Sequence, residues 1–510
     1  MTTLTTMMAA PDEAGSGLDR AALRQQIVPL LPDPGRLLGD ADNLLERGLD
    51  SLQIMQLVGR WRRLGASVTF ADLVENPTLE RWSALLAGEA NADTPSAAVQ
   101  AAVGDDAPFA LTDVQHAYWV GRRDDQPLGG VGCHAYLELD GRGVDPGRLE
   151  TAWRRLVARH GMLRARFDED GRQRVMPEGA AFSLAVHDLR NLPEVDVAVA
   201  LLDVRDRLSH RRLDVGRGQV AGLELSLLPG GATRVHVDID LLVADVHSLS
   251  VLLRDLALAH EGAPLPALPV EWSFAAHLAQ HAERLAGRRQ RDFAYWQAAL
   301  DDAASGPALP LARRPEEVRC PVFHRRTHRL PADRWARLRE TAATHGVTPA
   351  MTLAAAFAAI LARWSTDARF LLNVPLFDRD LATPGLANVV ADFTGLLLLR
   401  VDTPGAGGFL EDALALQRRF HADVAHAGYS GVQVLRDLAR RPDWTGSGAP
   451  VVFACNLGTP LAGPECRAVL GRVGYMISQT PQVWLDHQVY EEDGVLLLCW
   501  DVVEALFPAG

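Results

Sequence analysis

Three stretches hold residues whose types and spacing suit chemistry: HVDIDLLVADVHSLS from His236 to Ser250, SQTPQVWLDHQVY around Asp486, and LLERGLDSLQIMQL around Ser51. In the first, the alternation V-D-I-D predicts a strand with one polar face, and such faces ordinarily meet water. Asp238 and Asp240 lie two apart, Asp245 follows an apolar run, and Ser248 comes three later. A carboxylate in such a turn is expected to hold its loop through backbone N–H groups and arginine, which is the reading for Asp245. For Asp240 a structural and a chemical role stand level. No G-x-S-x-G elbow surrounds Ser248, so local hydrogen bonding rather than nucleophilic attack is expected there. In V-W-L-D-H-Q, Asp486 is either an exposed carboxylate or a partly desolvated acid–base group. Ser51 directly precedes an amphipathic stretch, as a helix cap does; the same position suits a bound phosphate.

Composition narrows the chemistry. With 510 residues and 48% hydrophobic content, the chain is long enough for about two to four compact units. No apolar run is long enough to span a bilayer, and residues 1–17 lack the basic, apolar pattern of a signal peptide, so they read as a mobile tail. The five cysteines form no C-x-x-C pair, which fits a reducing cytoplasm and argues against a disulfide framework or a structural zinc site. A net charge of −13 makes nucleic acid an unfavourable partner. All 51 basic residues are arginine. ATP activation by a Walker-A or adenylate-assisting lysine is therefore not expected in this segment.

These residues must be positioned by two kinds of element. Residues 18–88 show helical periodicity, with Ile54, Val58 and Trp61 on one stripe and Gly88 as a stop. Residues 89–107 mix small, acidic and turn-forming types and read as a linker. From Phe109 onward strands alternate with helices. CHAYLELDG, ARFLLNVPLF, TGLLLLRVD and GVLLLCWDV read as strands; helices start at Asp145-Pro146 and Thr348-Pro349. Elements of both kinds fill both halves, which suggests two α/β lobes.

The G-L-D-S turn within a small acidic helical unit resembles acyl and peptidyl carrier proteins, and implies 4′-phosphopantetheine on Ser51. Six blocks in order resemble the heterocyclization domains of nonribosomal peptide synthetases: FALTDVQHAYWVGR, RHGMLRARF, LLNVPLFDR, VADFTGLLLL, APVVFACNLG and ISQTPQVWLDHQ. The resemblance implies a four-helix-bundle carrier over 18–88. It is followed by a condensation-like α/β domain over 108–510, whose two chloramphenicol-acetyltransferase-like lobes (about 108–275 and 276–510) enclose a tunnel. Asp240, Asp245 and Ser248 match the family's D-x-x-x-x-D-x-x-S, where ordinary condensation domains carry H-H-x-x-x-D-G, and Leu241 falls at the second histidine. His247 lies beyond Asp245 and is expected to be a packing or surface residue. Within the family, the aspartate matched by Asp486 is the one associated with cyclization and dehydration. Thr480 and Gln482 could position the substrate or polarise its carbonyl. Many members have a threonine where this chain has Ala454, and Cys455 follows it; Thr480, a water or Asp486 alone must then supply the proton chemistry.

The implied activity joins an aryl thioester, salicyl foremost, to a cysteinyl thioester and closes a thiazoline, as in pyochelin-like siderophore synthesis. Serine or threonine in place of cysteine stays open. So do amide formation without ring closure and a non-catalytic docking platform. The implied partners are a phosphopantetheinyl transferase, a stand-alone aryl-adenylating enzyme and a downstream peptidyl carrier bearing cysteine, with no metal. The ending DVVEALFPAG stops short of the terminal helix the family adds, so the chain is expected to be part of a longer synthetase.

Overall fold

In the first hundred positions the apolar stripes close on a small core of their own. α1 (Arg20–Ile27) and α2 (Leu79–Ala87) contribute Leu23, Ile27, Leu79 and Trp82, and the helical residues between them add Ile54, Leu57, Val58 and Trp61. Trp61 and Trp82 meet edge to face with ring centroids 5.6 Å apart. Their indole N–H groups donate to Gln26 Oε1 and the Leu73 carbonyl, the partners that buried indoles need. In this computed structural model the small unit, Met1–Ser96, is one of two compact units; Ala97–Gly510 is the other. The structure describes residues 20–31, 35, 37–45, 47–49, 53–54, 57–58, 60–61, 66, 68, 72–73 and 77–87 of the first unit. Of the second it describes 104–179, 181–300, 305–377, 379, 383–402, 408–442, 444, 446, 448–458 and 460–508. Ser51, its flanking Asp50, Gly88 and most of the linker lie outside the described residues.

The larger unit has fourteen described strands: β1 (Phe109–Ala110), β2 (His134–Arg142), β3 (Ala165–Phe167), β4 (Arg172–Val175), β5 (Ala185–Asp188), β6 (Ala221–Leu227), β7 (Ala232–Asp240), β8 (Phe323–Leu330), β9 (Arg369–Phe377), β10 (Thr394–Asp402), β11 (Val451–Asn456), β12 (Arg472–Gln479), β13 (Leu485–Glu492) and β14 (Val495–Val503). They form a five-stranded sheet in the order β12-β2-β7-β6-β5, a six-stranded sheet in the order β10-β9-β11-β13-β14-β8, and a small sheet β1-β4-β3. β12 comes late in the chain, yet it pairs antiparallel with β2, Ser478 opposite Ala135. One strand from beyond the lobe boundary expected near residue 275 therefore completes the first sheet.

Helices cover these sheets and start where the sequence supplies caps. Thr112 and Gln115 form a reciprocal capping box at α3 (Asp113–Gly121). Asp145 caps α4 (Pro146–Arg159), which buries Leu149, Trp153 and Leu156 and leaves Val157 half-buried. Asp245 caps α5 (Val246–His260), and α4 packs on α5. Thr348 caps α6 (Pro349–Trp364). No single described helix is long and apolar enough to cross a membrane.

The polar face of V-D-I-D does not meet water, contrary to what such alternation ordinarily implies: Asp238 and Asp240 are both buried. Arg211 grips Asp238 through Nε and Nη2 at 3.0 and 2.8 Å, and Arg122 reaches Asp240 at 3.2 Å. An acid can enter a sheet interior when a guanidinium enters with it.

Candidate active site

Between the two large sheets lies a cavity of about 840 Å³. The period of two along β13 turns Asp486, Gln488 and Tyr490 into it, while His487 points to the opposite face, against Phe357 and Trp500. The neighbouring strands bring Val452 opposite Asp486 and Ala454 opposite Gln488. Across β14 and β8 the same row continues as Asp486, Asp501, Arg325.

This row is a buried charge network. Arg325 grips Asp501 through Nε at 2.7 Å and Nη2 at 2.5 Å, and its Nη2 also donates to Gln488 Oε1 at 2.6 Å. Gln488 Nε2 donates to Asp486 Oδ2 at 2.7 Å and to Ser478 Oγ at 2.5 Å. The Ser478 hydroxyl lies 3.2 Å from both Asp486 Oδ2 and Asp501 Oδ2, and its backbone N–H donates to Asp501 Oδ2 at 2.9 Å. Asp486 Oδ1, in contrast, has no hydrogen-bond partner among the described residues. Burial, and then the Asp501 charge, push the Asp486 carboxyl up to about 6, against the opposing pull of Gln488, Arg325 and Ser478. Such a carboxyl can hold or release a proton near neutrality.

The other expected residues fall into two groups. Thr480 and Gln482 line the cavity with Asp486. Thr480 Oγ1 is 3.6 Å from the buried Cys133 thiol. Gln482 adopts the left-handed conformation at φ 67°, in a turn against the end of α3. There a Cβ on Gly121 would sit 2.9 Å from Pro481 Cβ, so only glycine allows the approach.

Asp240 is not among the cavity-lining groups; its oxygens accept from Arg122 and from the Leu242 N–H. Asp245 reaches the cavity wall, but its Oδ1 accepts from the Ser248 N–H at 2.6 Å and from Arg379 Nη2 at 3.1 Å. Ser248 Oγ donates to the Ala391 carbonyl and accepts from the Ala391 N–H and from Arg379. Asp245 and Ser248 thus tie α5 to the loops before β10, while Asp240 is held by Arg122. Leu241 lines the cavity, and His247 sits half-buried against the Ala387 carbonyl. Ala454 faces the cavity; Cys455, next along the strand, is not among its lining residues.

Ser478, Gln488, Asp501 and Arg325 escaped the sequence reading. Two signals were available: Gln488 lies one strand period from Asp486, and Asp501 is a lone acid in the apolar run LLLCWDV. Arg325, one of several arginines and histidines in FHRRTHRL whose neighbours are exposed, gives no such signal.

A two-sheet α/β unit with a largely apolar cavity into which a few polar groups project, preceded by a small helical unit, defines a carrier–condensation pair. The chain belongs to the condensation-domain family, whose family pattern matches residues 108–446, and it carries a phosphopantetheine attachment-site domain over residues 21–86. It is 42% identical over 508 residues to pyochelin synthetase PchE of Pseudomonas aeruginosa (99% of this chain, 35% of that one). It is 43% identical over 498 residues to phenyloxazoline synthase MbtB of Mycolicibacterium paratuberculosis (96% of this chain, 42% of that one). The chain thus spans roughly a third to two fifths of the length of these relatives. Among solved structures, the cyclization-docking bidomain of EpoB from Sorangium cellulosum superposes with a TM-score of 0.70 at 34% identity, covering 79% of this chain and 82% of that one. The first condensation domain of the calcium-dependent antibiotic synthetase shares the fold at 22% identity and a TM-score of 0.63.

Proposed function

We propose that the chain joins an aryl thioester to a cysteinyl thioester and closes the product to a thiazoline, with the carrier over 18–88 and the cyclization region over 108–510. Phosphopantetheine on Ser51, when bound, presents the acyl carbon as an activated thioester, so this stage needs no ATP. The residues nearby suit that group: Ser51 stands two positions ahead of helical Gln53, in a segment whose Ile54, Leu57 and Trp61 are buried.

Ring closure falls to Asp486. As the cysteine sulfur adds to the amide carbon, Asp486 Oδ1 takes the thiol proton and delivers it to the carbonyl oxygen, leaving a carbinol. In a second passage it takes the N–H proton and gives it to the hydroxyl; the C–O bond breaks, water leaves and C=N forms. A positioned acid–base group contributes roughly 10²–10⁴-fold. Holding both substrates in one cavity adds the gain from proximity. Thr480 and Gln482 hold the substrate carbonyl, while Asp240, Asp245 and Ser248 hold the wall. A phosphopantetheinyl transferase, a separate aryl-adenylating enzyme and a cysteine-bearing downstream carrier complete the system, in the cytoplasm. The observation that carries this reading is the unpartnered Oδ1 of Asp486, a residue of the cavity wall that Leu241 also lines.

The missing hydroxyl at Ala454 favours a second reading, amide formation alone. Mass spectrometry on the protein loaded with salicylate at Ser51 and given a cysteinyl carrier separates them. Transfer followed by loss of one water supports ring closure, and transfer without it supports the amide-only reading. No transfer leaves a docking platform.

A further inference from the structure

Asp486 and Asp501 stand directly opposite one another on adjacent antiparallel strands, an arrangement that like charges ordinarily destabilise. Here the conflict is resolved asymmetrically. Asp501 is fully buried and gripped by Arg325, whereas Asp486 receives only neutral donors, both on Oδ2. Gln488 bridges the two sides, with its carbonyl on Arg325 and its amide on Asp486. Ser478 comes from the other sheet; its Oγ lies 3.2 Å from an oxygen of either carboxylate, and it has one hydrogen to give.

We propose that Asp501, clamped by Arg325, is a positioning residue for Asp486, and that Ser478 supplies the hydroxyl that Ala454 lacks. Asp501 fixes Ser478 through its N–H, and Gln488 through Arg325. Both donors then occupy Oδ2 and leave Oδ1 for the reacting atoms. When Asp486 is charged, the Ser478 O–H turns to it; when Asp486 holds the proton on Oδ1, the O–H turns to Asp501. The serine thereby follows each proton passage without any heavy-atom movement. The Asp501 charge also raises the affinity of Asp486 for its proton, while Arg325 lowers it. Tyr118 on α3 also faces Asp486. Beyond it lie Tyr490, whose hydroxyl accepts from Arg325, and the uncharged Gln488 and Ser478.

The inference rests on the ring-closing reading above, and the experiment keeps the two apart. The full chain is loaded at Ser51 from salicyl-coenzyme A by a phosphopantetheinyl transferase. It is then given cysteinyl N-acetylcysteamine thioester, and amide and ring are followed separately against pH. Ser478→Ala slows water loss about 10- to 100-fold, the loss expected for a hydrogen bond to a charged group, and leaves amide formation intact. Ser478→Thr restores it. Asp501→Asn moves the Asp486 titration in the water-loss profile to lower pH, because the charge that raises it is gone. Should Asp501→Asn fail to fold, the Ser478→Ala and Ser478→Thr pair decides alone. Wild-type water-loss rates in Ser478→Ala overturn the inference. So does equal loss of amide and ring in a folded Ser478→Ala, or no recovery in Ser478→Thr. A wild-type chain that forms amide but no ring at any pH overturns the reading above, and this inference with it.

Discussion

Asp486→Asn should abolish ring closure and make the protein more stable above pH 6. A carboxyl raised from 3.8 to about 6 in the folded chain prefers its neutral form there. Its contribution to stability is fully present below pH 4 and is lost as pH rises through the folded value. Above that value the wild-type protein carries a cost of about 3 kcal/mol, the free-energy equivalent of the gap between the two values. Asparagine removes this cost. Its oxygen can occupy the Oδ2 position and keep the Gln488 and Ser478 bonds, and its NH₂ replaces the unpartnered Oδ1. Urea unfolding of wild type and variant at steps from pH 4 to pH 8 tests the sign. The stability difference should open between pH 4 and 6 and be flat above, while the variant still forms amide and loses no water. A pH-independent difference, or a less stable variant at pH 8, would refute the argument that the site holds a strained, proton-seeking carboxyl.

The remaining predictions separate chemistry from scaffold. Asp245→Ala removes the α5 cap, worth about 1 kcal/mol, and strands the buried Arg379 guanidinium, worth about 3–5 kcal/mol, whereas Asp245→Asn keeps the cap. Urea midpoints should fall in the order wild type, Asp245→Asn, Asp245→Ala, with the ring-to-amide ratio of folded protein unchanged. A selective loss of ring at full stability would place Asp245 in the chemistry. Thr480→Val removes a hydroxyl that positions the substrate carbonyl but sits against the Cys133 thiol rather than on Asp486, so amide and ring should fall together and the ring-to-amide ratio should stay within about threefold in the same mass assay. A hundredfold fall in that ratio would restore Thr480 as the replacement for the threonine missing at Ala454. Ser51→Ala should gain no mass from coenzyme A and phosphopantetheinyl transferase; any gain would move the attachment point.

Much of the fold could be read from local pattern because local forces set it. The caps at Asp145 and Thr348 and the apolar runs of β9, β10 and β14 announce themselves within a few residues. Asp486 was legible through its motif, and its placement in the cavity follows from the period of two along β13. The strand VDID was legible too, but not the fate of its acids: Arg122 and Arg211, which admit Asp240 and Asp238 to the interior, lie over a hundred and about thirty positions away. No periodicity encodes such a pairing. Arg325 lies 176 positions from Asp501 and is hidden for the same reason.

The placement of β12 explains why the site's proton chemistry needed the structure. Ser478 is held by the ladder of the five-stranded sheet, and Asp486, Gln488, Asp501 and Arg325 by that of the six-stranded one. The hydrogen bonds from Ser478 to the two carboxylates therefore cross between sheets. A shift of the sheets against each other would loosen the donors on Asp486 Oδ2 before it disturbed either ladder, because single hydrogen bonds to side chains yield before cooperative strand pairing does. On the proposed reading, the acid–base strength of Asp486 depends on how the two sheets meet at Ser478, and a one-residue register slip in β12 would turn Ser478 away from it.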